Sequence, residues 1–457
     1  MSGPAINPAL RRTYDLRGVV GDTLIEADAH AVGRAFAAVA RERGARTIAV
    51  SRDGRLSSPM LEAALVAGLV EGGMQVRRMP AGPTPLVSFT IDRAGLDGGV
   101  MVTGSHNPPD QNGFKLRLGG APLHGAALGD LWEVDPAPAP GGGVEAIDLS
   151  EEYLAALAAE LDGIVPASAA WDCGNGATGP VVERLTARLG GRQEPIFAEM
   201  DGRFPNHHPD PSVPANLALL AGHVVAHGLD LGIAFDGDGD RIGLVDAEGE
   251  IVWADQLLLL LARDVLRDRA GATIVGDVKA SNVLFDGIAQ AGGRAVMAPS
   301  GYVLIRDRML AEDAPLAGEM SGHIFFGDRW HHADDSLYVA VRTLRALARS
   351  GQSLADFRRS LPAVVATPEI RLSCPDARKA EVLAAIAARL ADEGQAIDRT
   401  DGLRVAEADG WWLLRASGTE PKLTARCEAA SPAALDRLVG RLAGELEREG
   451  LTCPAPV

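Results

Sequence analysis

Short apolar runs alternate with longer stretches of mixed polarity along most of the chain. Residues 46–50 (RTIAV), 98–102 (GGVMV), 168–171, 229–235 (LDLGIAF), 273–275 and 315–318 are mostly apolar and bounded by turn formers. Runs of that length and setting predict buried strands. Between them, 57–72, 216–227 and 255–268 read as helices, the first amphipathic, with Ser57 placed as its N-terminal cap. Strands alternating with helices predict α/β layers on a mixed or parallel sheet. The pattern changes in the C-terminal part, where 369–373, 376–392, 403–406, 411–415 and 432–447 read β-α-β-β-α, a smaller α+β domain.

Three breaks divide the pattern. Residues 135–143 (DPAPAPGGG) suit neither a helix nor a central strand and read as a linker. Residues 246–250 (DAEGE) read as a turn between two strands, and 361–368 hold two prolines. Four domains are expected, at 1–148, 149–248, 249–362 and 363–457, because 457 residues exceed what one core accommodates. Each of the first three ends a buried strand in a polar, glycine-containing loop: 103–108, 236–241 and 318–323. Ligands of α/β sheets gather at the carboxyl ends of strands, so these loops are the places to look for chemistry.

Composition narrows the function classes. With 47% hydrophobic and 23% charged residues the chain is ordinary globular protein. The leucine-rich run 256–262 is too short to span a bilayer and is followed by Arg263 and Asp264. Arg11, Arg12, Asp15 and Arg17 have no apolar stretch behind them, so no signal peptide and no membrane partner are expected, and cytoplasm is the expected location. The four cysteines are scattered, which predicts reduced thiols. A net charge of −17 argues against a nucleic-acid partner, and an anionic substrate then needs a locally basic cleft. Only four of the 44 basic residues are lysines, and Lys115, Lys279 and Lys422 fall in or beside loop-like segments. A compact ammonium retained among so many guanidinium groups points to a specific task. No dimer seam is evident, so a monomer is expected.

Four loops carry candidate chemistry. Thr103-Gly104-Ser105-His106-Asn107-Pro108 presents a serine on a tight turn, a candidate nucleophile with His106 or a lysine managing its proton. Read alone, it is equally an Asn-Pro turn whose serine caps the backbone; it is not the GxSxG elbow of the α/β-hydrolases. Asp236-Gly237-Asp238-Gly239-Asp240-Arg241 places three carboxylates at alternate positions, with glycines that let them converge. Oxygen-only ligation suits Mg²⁺, and Arg241 can hold a phosphate beside it. An EF-hand is excluded, since Arg241 and Ala247 occupy its glycine and glutamate positions. In Gly318-Glu319-Met320-Ser321-Gly322-His323, Glu319 and Ser321 can bind sugar hydroxyls and His323 a phosphate or a proton. Arg415-Ala416-Ser417-Gly418-Thr419-Glu420-Pro421-Lys422 can cradle a phosphate, with Gly418 and Thr419 offering N–H groups; a plain hairpin loop is the alternative.

Taken in order, the four loops resemble those of the α-D-phosphohexomutase superfamily over essentially the whole chain. Tyr14-Asp15-Leu16-Arg17-Gly18 and Asn112-Gly113-Phe114-Lys115 also look like family segments. GEMSGH is most similar to the phosphomannomutase/phosphoglucomutase branch, since phosphoglucosamine mutases usually carry glutamine in place of Met320. The resemblance implies three related α/β/α sandwich domains with mixed sheets and a C-terminal α+β domain around a central cleft. It implies a phosphoserine at Ser105, with Asp236, Asp238, Asp240 and a phosphoserine oxygen binding Mg²⁺. Arg17, His106, Lys115 and Arg241 would surround the reacting phosphoryl, Lys115 as a candidate acid/base. Glu319, Ser321 and His323 would serve the sugar. Arg415, Ser417, Gly418 and Thr419 would hold the other phosphate, helped by Tyr14 and Lys279. Pro299-Ser300-Gly301-Tyr302 stands where many relatives have Thr-Gly-His, so Tyr302 offers a phenol in place of an imidazole.

The implied reaction is reversible phosphoryl transfer between C1 and C6 of mannose or glucose phosphates. It runs through a hexose 1,6-bisphosphate, which is also the activator. Phosphoglucosamine mutase is the nearest alternative. A phosphosugar phosphatase with Asp236 as nucleophile is another, although such hydrolases expect threonine or valine where Asp240 stands. A phosphosugar sensor would need neither Ser105 nor the whole carboxylate triad.

Overall fold

The computed structural model describes residues 6–418 and 421–454. By packing, the chain forms two units: Met1–Asp268 with Ser321–Arg358, and Arg269–Met320 with Arg359–Val457. The segment 249–362 thus contributes to both.

In the first unit, one sheet orders its strands Leu16–Val19, Gln111–Leu118, Gly98–Val102, Thr47–Arg52, Gln75–Arg78 and Gly143–Ala146. Thr47–Arg52 and Gly98–Val102 run parallel, while Gln111–Leu118 is antiparallel to its neighbours. Ile48, Val50, Val100 and Val102 bury one face against helices Glu26–Glu42 and Ser58–Glu71. The second of these helices buries one side and exposes a stripe at Pro59, Met60, Ala63 and Ala67, as an amphipathic helix does, although that stripe carries apolar side chains in place of charged ones. Ser57 makes no cap bond, its backbone being already helical. The Ser57 hydroxyl instead accepts from Asn112 Nδ2 at 2.9 Å. The proline-rich stretch 135–142 is irregular, but it leads directly into Gly143–Ala146, an edge strand parallel to Gln75–Arg78. An edge position needs pairing on one side only, which tolerates prolines just outside it.

A second sheet in this unit orders Ile251–Val252, Ile242–Asp246, Leu231–Phe235, Ala169–Asp172 and Gln193–Ile196. DAEGE is the turn joining the first two, closed by Asp246 Oδ1, which accepts from the N–H groups of Glu248 and Glu250. Leu231–Phe235 is wholly buried and parallel to Ala169–Asp172, and the acidic loop leaves its carboxyl end.

The second unit holds three parallel strands in the order Arg294–Ala298, Thr273–Asp277, Leu316–Gly318. It also holds an antiparallel C-terminal sheet packed on helices Asp376–Asp392 and Pro432–Arg448. The β-α-β-β-α reading omits a strand at the heart of that sheet. Lys422–Ala429 pairs with Gly410–Ala416 on one side and with Val365–Ala366 and Ile370–Ser373 on the other. Its buried Leu423, Ala425, Cys427 and Ala429 alternate with Lys422, Thr424, Arg426 and Glu428. Small apolar residues between charged ones hide the period of two. The expected α/β layers and the α+β C-terminus are both present. Among the described residues no helix is long and apolar enough to cross a membrane, and all four cysteines are free.

Candidate active site

The serine loop begins where Gly98–Val102 ends. Ser105 is buried and sits in the left-handed region at φ 49°, a conformation that costs energy for a residue with a Cβ. Its N–H donates to Thr103 Oγ1 at 2.7 Å, and its own hydroxyl donates to Asp236 Oδ2 at 2.7 Å. The serine loop and the acidic loop, 131 residues apart in sequence, are therefore in direct contact.

The acidic loop curls as the glycine pattern requires. Gly239 takes φ 76°, and the N–H groups of Gly239, Asp240 and Arg241 all donate to Asp236 Oδ1 at 3.0–3.2 Å. Asp236, Asp238 and Asp240 are buried, with one oxygen from each within 4.8 Å of the others. Such crowding raises the charge problem at once. Burial, with Asp240 and Asp238 close by, pushes the Asp236 carboxyl up to about 7. Asp240 is raised by burial and by Asp238. Asp238 is held low despite its burial, because Lys115 and Thr84 bond to it.

Lys115 projects from the middle of strand Gln111–Leu118 rather than from a loop. Its ammonium donates to Asp238 Oδ2 at 2.6 Å and to Asp240 Oδ2, and although burial opposes it, the two carboxylates hold its pKa above the ordinary lysine value. Asp238 Oδ1 and Asp240 Oδ1 are buried and accept no hydrogen bond. Orphaned carboxylate oxygens in an all-oxygen cluster fit a hard dication such as Mg²⁺. The remaining basic groups close in from other elements. Arg17 donates to Thr103 O and to Asp15 Oδ2 (2.9 Å). Arg241 reaches Asp236 Oδ2 and Asp210 Oδ1, both at 3.2 Å, and leaves Nη2 buried without a partner. His106 Nδ1 lies 3.3 Å from Asp210 Oδ2. Desolvation and the Arg241 guanidinium hold its imidazole below the usual histidine value.

His323 lies in this first unit, on the acidic loop's side. Its Nδ1 is 3.0 Å from Asp334 Oδ2 and 3.9 Å from Asp240 Oδ1. The division between units falls directly before Ser321, whose hydroxyl is buried without a hydrogen bond. Gly322 takes φ 99° with its Cα against Ile242, so a Cβ there would lie 2.5 Å from Ile242 O.

In the second unit Glu319 meets a different group. Lys279 Nζ lies 3.7–3.9 Å from Asp277, Glu319 and Glu369. Ser300 donates to Asp277 Oδ2 at 3.2 Å and to Glu319 Oε1 at 3.3 Å. Arg415 donates to Asp401 Oδ2 at 2.7 Å, and the same oxygen accepts from the Ser300 N–H at 3.1 Å. Tyr302 opens helix Tyr302–Ala311 behind Gly301 at φ 132°. Ser417 O accepts from Lys379 Nζ at 2.9 Å. Thr419 lies outside the described residues, and the Tyr14 ring packs against His124 in the first unit.

Sequence reasoning passed over several residues that hold the site. Asp53 and Arg55 brace the serine loop, Thr84 binds Asp238, and Asp210 joins His106 to Arg241. The signal for Asp210 is present in Asn206-His207-His208-Pro209-Asp210-Pro211-Ser212, a polar run holding two prolines, but nothing in it names a partner.

Comparison with known proteins places this arrangement. Models of the phosphoglucomutase/phosphomannomutase α/β/α domains I, II and III match residues 8–128, 151–249 and 253–365, and that of the C-terminal domain matches 369–445. A phosphomannomutase/phosphoglucomutase of Pseudomonas putida is 42% identical over 95% of this chain and 94% of its own. A phosphoglucomutase of Neisseria gonorrhoeae is 40% identical over 95% and 96%. A crystal structure of a phosphoglucomutase/phosphomannomutase family protein from Burkholderia thailandensis superposes with TM-score 0.92 at 37% identity, covering 99% of this chain and 100% of that one. With four domain models matched in order and relatives near 40% identical along nearly the whole length, the chain belongs to the phosphoglucomutase/phosphomannomutase family.

Proposed function

We propose that this enzyme moves a phosphoryl group reversibly between O1 and O6 of a hexose phosphate, mannose or glucose, through phosphoserine 105 and a hexose 1,6-bisphosphate. The observation that carries the reading is Ser105 itself. It is a strained serine on a turn, hydrogen-bonded to a three-carboxylate cluster that Lys115 and Arg241 also engage, with Arg17 on the carbonyl of Thr103 two residues before it. The names of the relatives support the substrate class.

The steps follow from these groups. A sugar hydroxyl oxygen attacks phosphorus, the bond from phosphorus to Ser105 Oγ breaks, and the sugar gains its second phosphoryl. Lys115, an ammonium, supplies charge and a proton for the departing Oγ. His106 stands beside the serine to take the proton of the attacking hydroxyl. Arg17 and Arg241 neutralise equatorial phosphoryl oxygens, since phosphoryl transfer is governed by positioning and charge. Asp236, Asp238, Asp240 and a phosphoserine oxygen would hold Mg²⁺, which when bound supplies Lewis-acid stabilisation of the transferring phosphoryl. Glu319, Ser321 and His323 are assigned to the sugar. Arg415, Ser417, Gly418 and Thr419 are assigned to the non-reacting phosphate, with Tyr14, Lys279 and Tyr302 assisting. The bisphosphate reverses ends and returns its other phosphoryl to Ser105.

The phosphatase reading fits the geometry less well. Both oxygens of Asp236 are already engaged, one by three N–H groups and the other by Ser105 and Arg241. A carboxylate so tied is poorly placed to attack. The test is turnover of glucose 1-phosphate and mannose 1-phosphate with Mg²⁺ and a trace of glucose 1,6-bisphosphate, followed by coupled dehydrogenases. Isomerisation that disappears in Ser105→Ala is expected; release of inorganic phosphate without isomerisation contradicts the reading.

A further inference from the structure

Strand Thr47–Arg52 runs beside Gly98–Val102, so the segment that follows it, Asp53-Gly54-Arg55, emerges next to the serine loop. Arg55 folds back into that loop and is buried to 1% exposure. Its Nη2 donates to Ser105 O and Asn107 O, both at 2.7 Å. Its Nη1 donates to Pro108 O at 2.5 Å and Gln111 O at 2.9 Å. Its Nε lies 3.2 Å from Asp53 Oδ2. The same Asp53 oxygen accepts from the Thr103 hydroxyl at 2.8 Å and the Gly104 N–H at 3.2 Å. Both ends of the guanidinium fork are thus spent on loop carbonyls, while Nε makes no hydrogen bond and meets the acid that holds the loop's first residues only as an ion pair.

Two further observations show how closely the loop is built on this side chain. A Cβ on Gly104 would lie 2.3 Å from Arg55 Cζ and Nε, so the guanidinium lies against a bare Cα. Ser105 stays in the left-handed region at φ 49°, which persists only where the surroundings over-determine it. The hydrogen-bond partners of the Arg55 guanidinium are all backbone carbonyls. Its work is on the loop's backbone.

We propose, resting on the phosphoserine reading above, that Arg55 is the positioning residue that holds Ser105 and its phosphoryl in register with the acidic loop. The Asp53 carboxylate ties the guanidinium to Thr103 and Gly104, where the loop leaves its strand. Arginine is required rather than charge alone, because a lysine ammonium offers three donors at one point and cannot reach four carbonyls in a plane.

The experiment compares wild type, Arg55→Lys, Gly104→Ala and Ser105→Ala. Each is treated with glucose 1,6-bisphosphate, and the phosphoserine is followed by intact mass and by its ³¹P resonance. Initial rates with glucose 1-phosphate and urea midpoints complete the set. Arg55→Lys is expected to lose about 100-fold in kcat, the scale of a misplacement near 1 Å, with KM changed less than about threefold. Its ³¹P resonance is expected to shift or broaden. Gly104→Ala, which keeps Arg55 but forces it off the loop, is expected to do the same and serves if Arg55→Lys does not fold. Unchanged kcat and ³¹P resonance in a folded variant, or a loss confined to the urea midpoint, overturns the proposal. Turnover persisting in Ser105→Ala instead overturns the phosphoserine reading itself.

Discussion

Thr84→Val removes a single hydrogen bond from beneath the acidic loop. Thr84 opens helix Thr84–Ala94 and is buried. Its N–H donates to Asp238 O at 2.8 Å, and its hydroxyl donates to Asp238 Oδ2. Valine preserves the shape and the N–H and deletes only the hydroxyl. A hydrogen bond to a charged group contributes about 1.5–3 kcal/mol. At about 1.4 kcal/mol per decade, that is about 10- to 150-fold in an equilibrium constant. Loss of a group that orients a metal ligand independently costs about 10- to 100-fold in affinity. The two routes agree. The assay is titration of the unphosphorylated protein with Mn²⁺, read by electron paramagnetic resonance of the free ion, for wild type, Thr84→Val and Thr84→Ser. Valine is expected to weaken binding by about 10- to 100-fold while serine stays near wild type. Unchanged affinity in Thr84→Val, or equal weakening in Thr84→Ser, would refute the reasoning, the second by pointing to packing instead of the hydroxyl.

Two further outcomes follow from particular residues. Gly322→Ala places a Cβ 2.5 Å from Ile242 O at φ 99°, so a loss of about 2 kcal/mol or more in urea unfolding is expected, and unaltered stability contradicts that packing. Asp335 is raised to about 6 by burial, which outweighs the hydrogen bonds from Tyr338 N–H, Tyr153 Oη and Trp330 Nε1. The folded state therefore binds its proton more tightly than the unfolded chain, and the stability this residue contributes falls as pH rises from about 4 to about 6. A shift of about two units limits the effect to about 3 kcal/mol. The stability difference between wild type and Asp335→Asn is expected to move by that order across the window, and a pH-independent difference contradicts the assignment.

What the sequence discloses here depends on whether a feature is local. The strand Leu231–Phe235 and the loop after it are legible because an apolar run and a DGDGDR repeat each carry their own signature. Helix Asp376–Asp392 is read to the residue for the same reason. Strand Lys422–Ala429 is missed because three of its four core-facing residues, Ala425, Cys427 and Ala429, are small and its other face carries Lys422, Arg426 and Glu428. Burial of Glu428 depends on Ser281 and Trp411, which donate to it from other parts of the chain. The same limit governs the site. Ser105 and the three aspartates announce themselves, but Arg55, Thr84 and Asp210 are ordinary letters whose importance exists only once the chain has folded. Lys115 shows the intermediate case: its rarity marks it, yet only the pairing with Gly98–Val102 places its ammonium between Asp238 and Asp240.

The central claim is that Ser105 carries the phosphoryl group. The most direct measurement gives the protein glucose 1,6-bisphosphate bearing ³²P, isolates the labelled peptide, and then chases with unlabelled hexose monophosphate and Mg²⁺. Label on Ser105 that passes to the sugar in the chase, and no label in Ser105→Ala, is the predicted result. Label that leaves only as inorganic phosphate, or isomerisation that persists in Ser105→Ala, would contradict it.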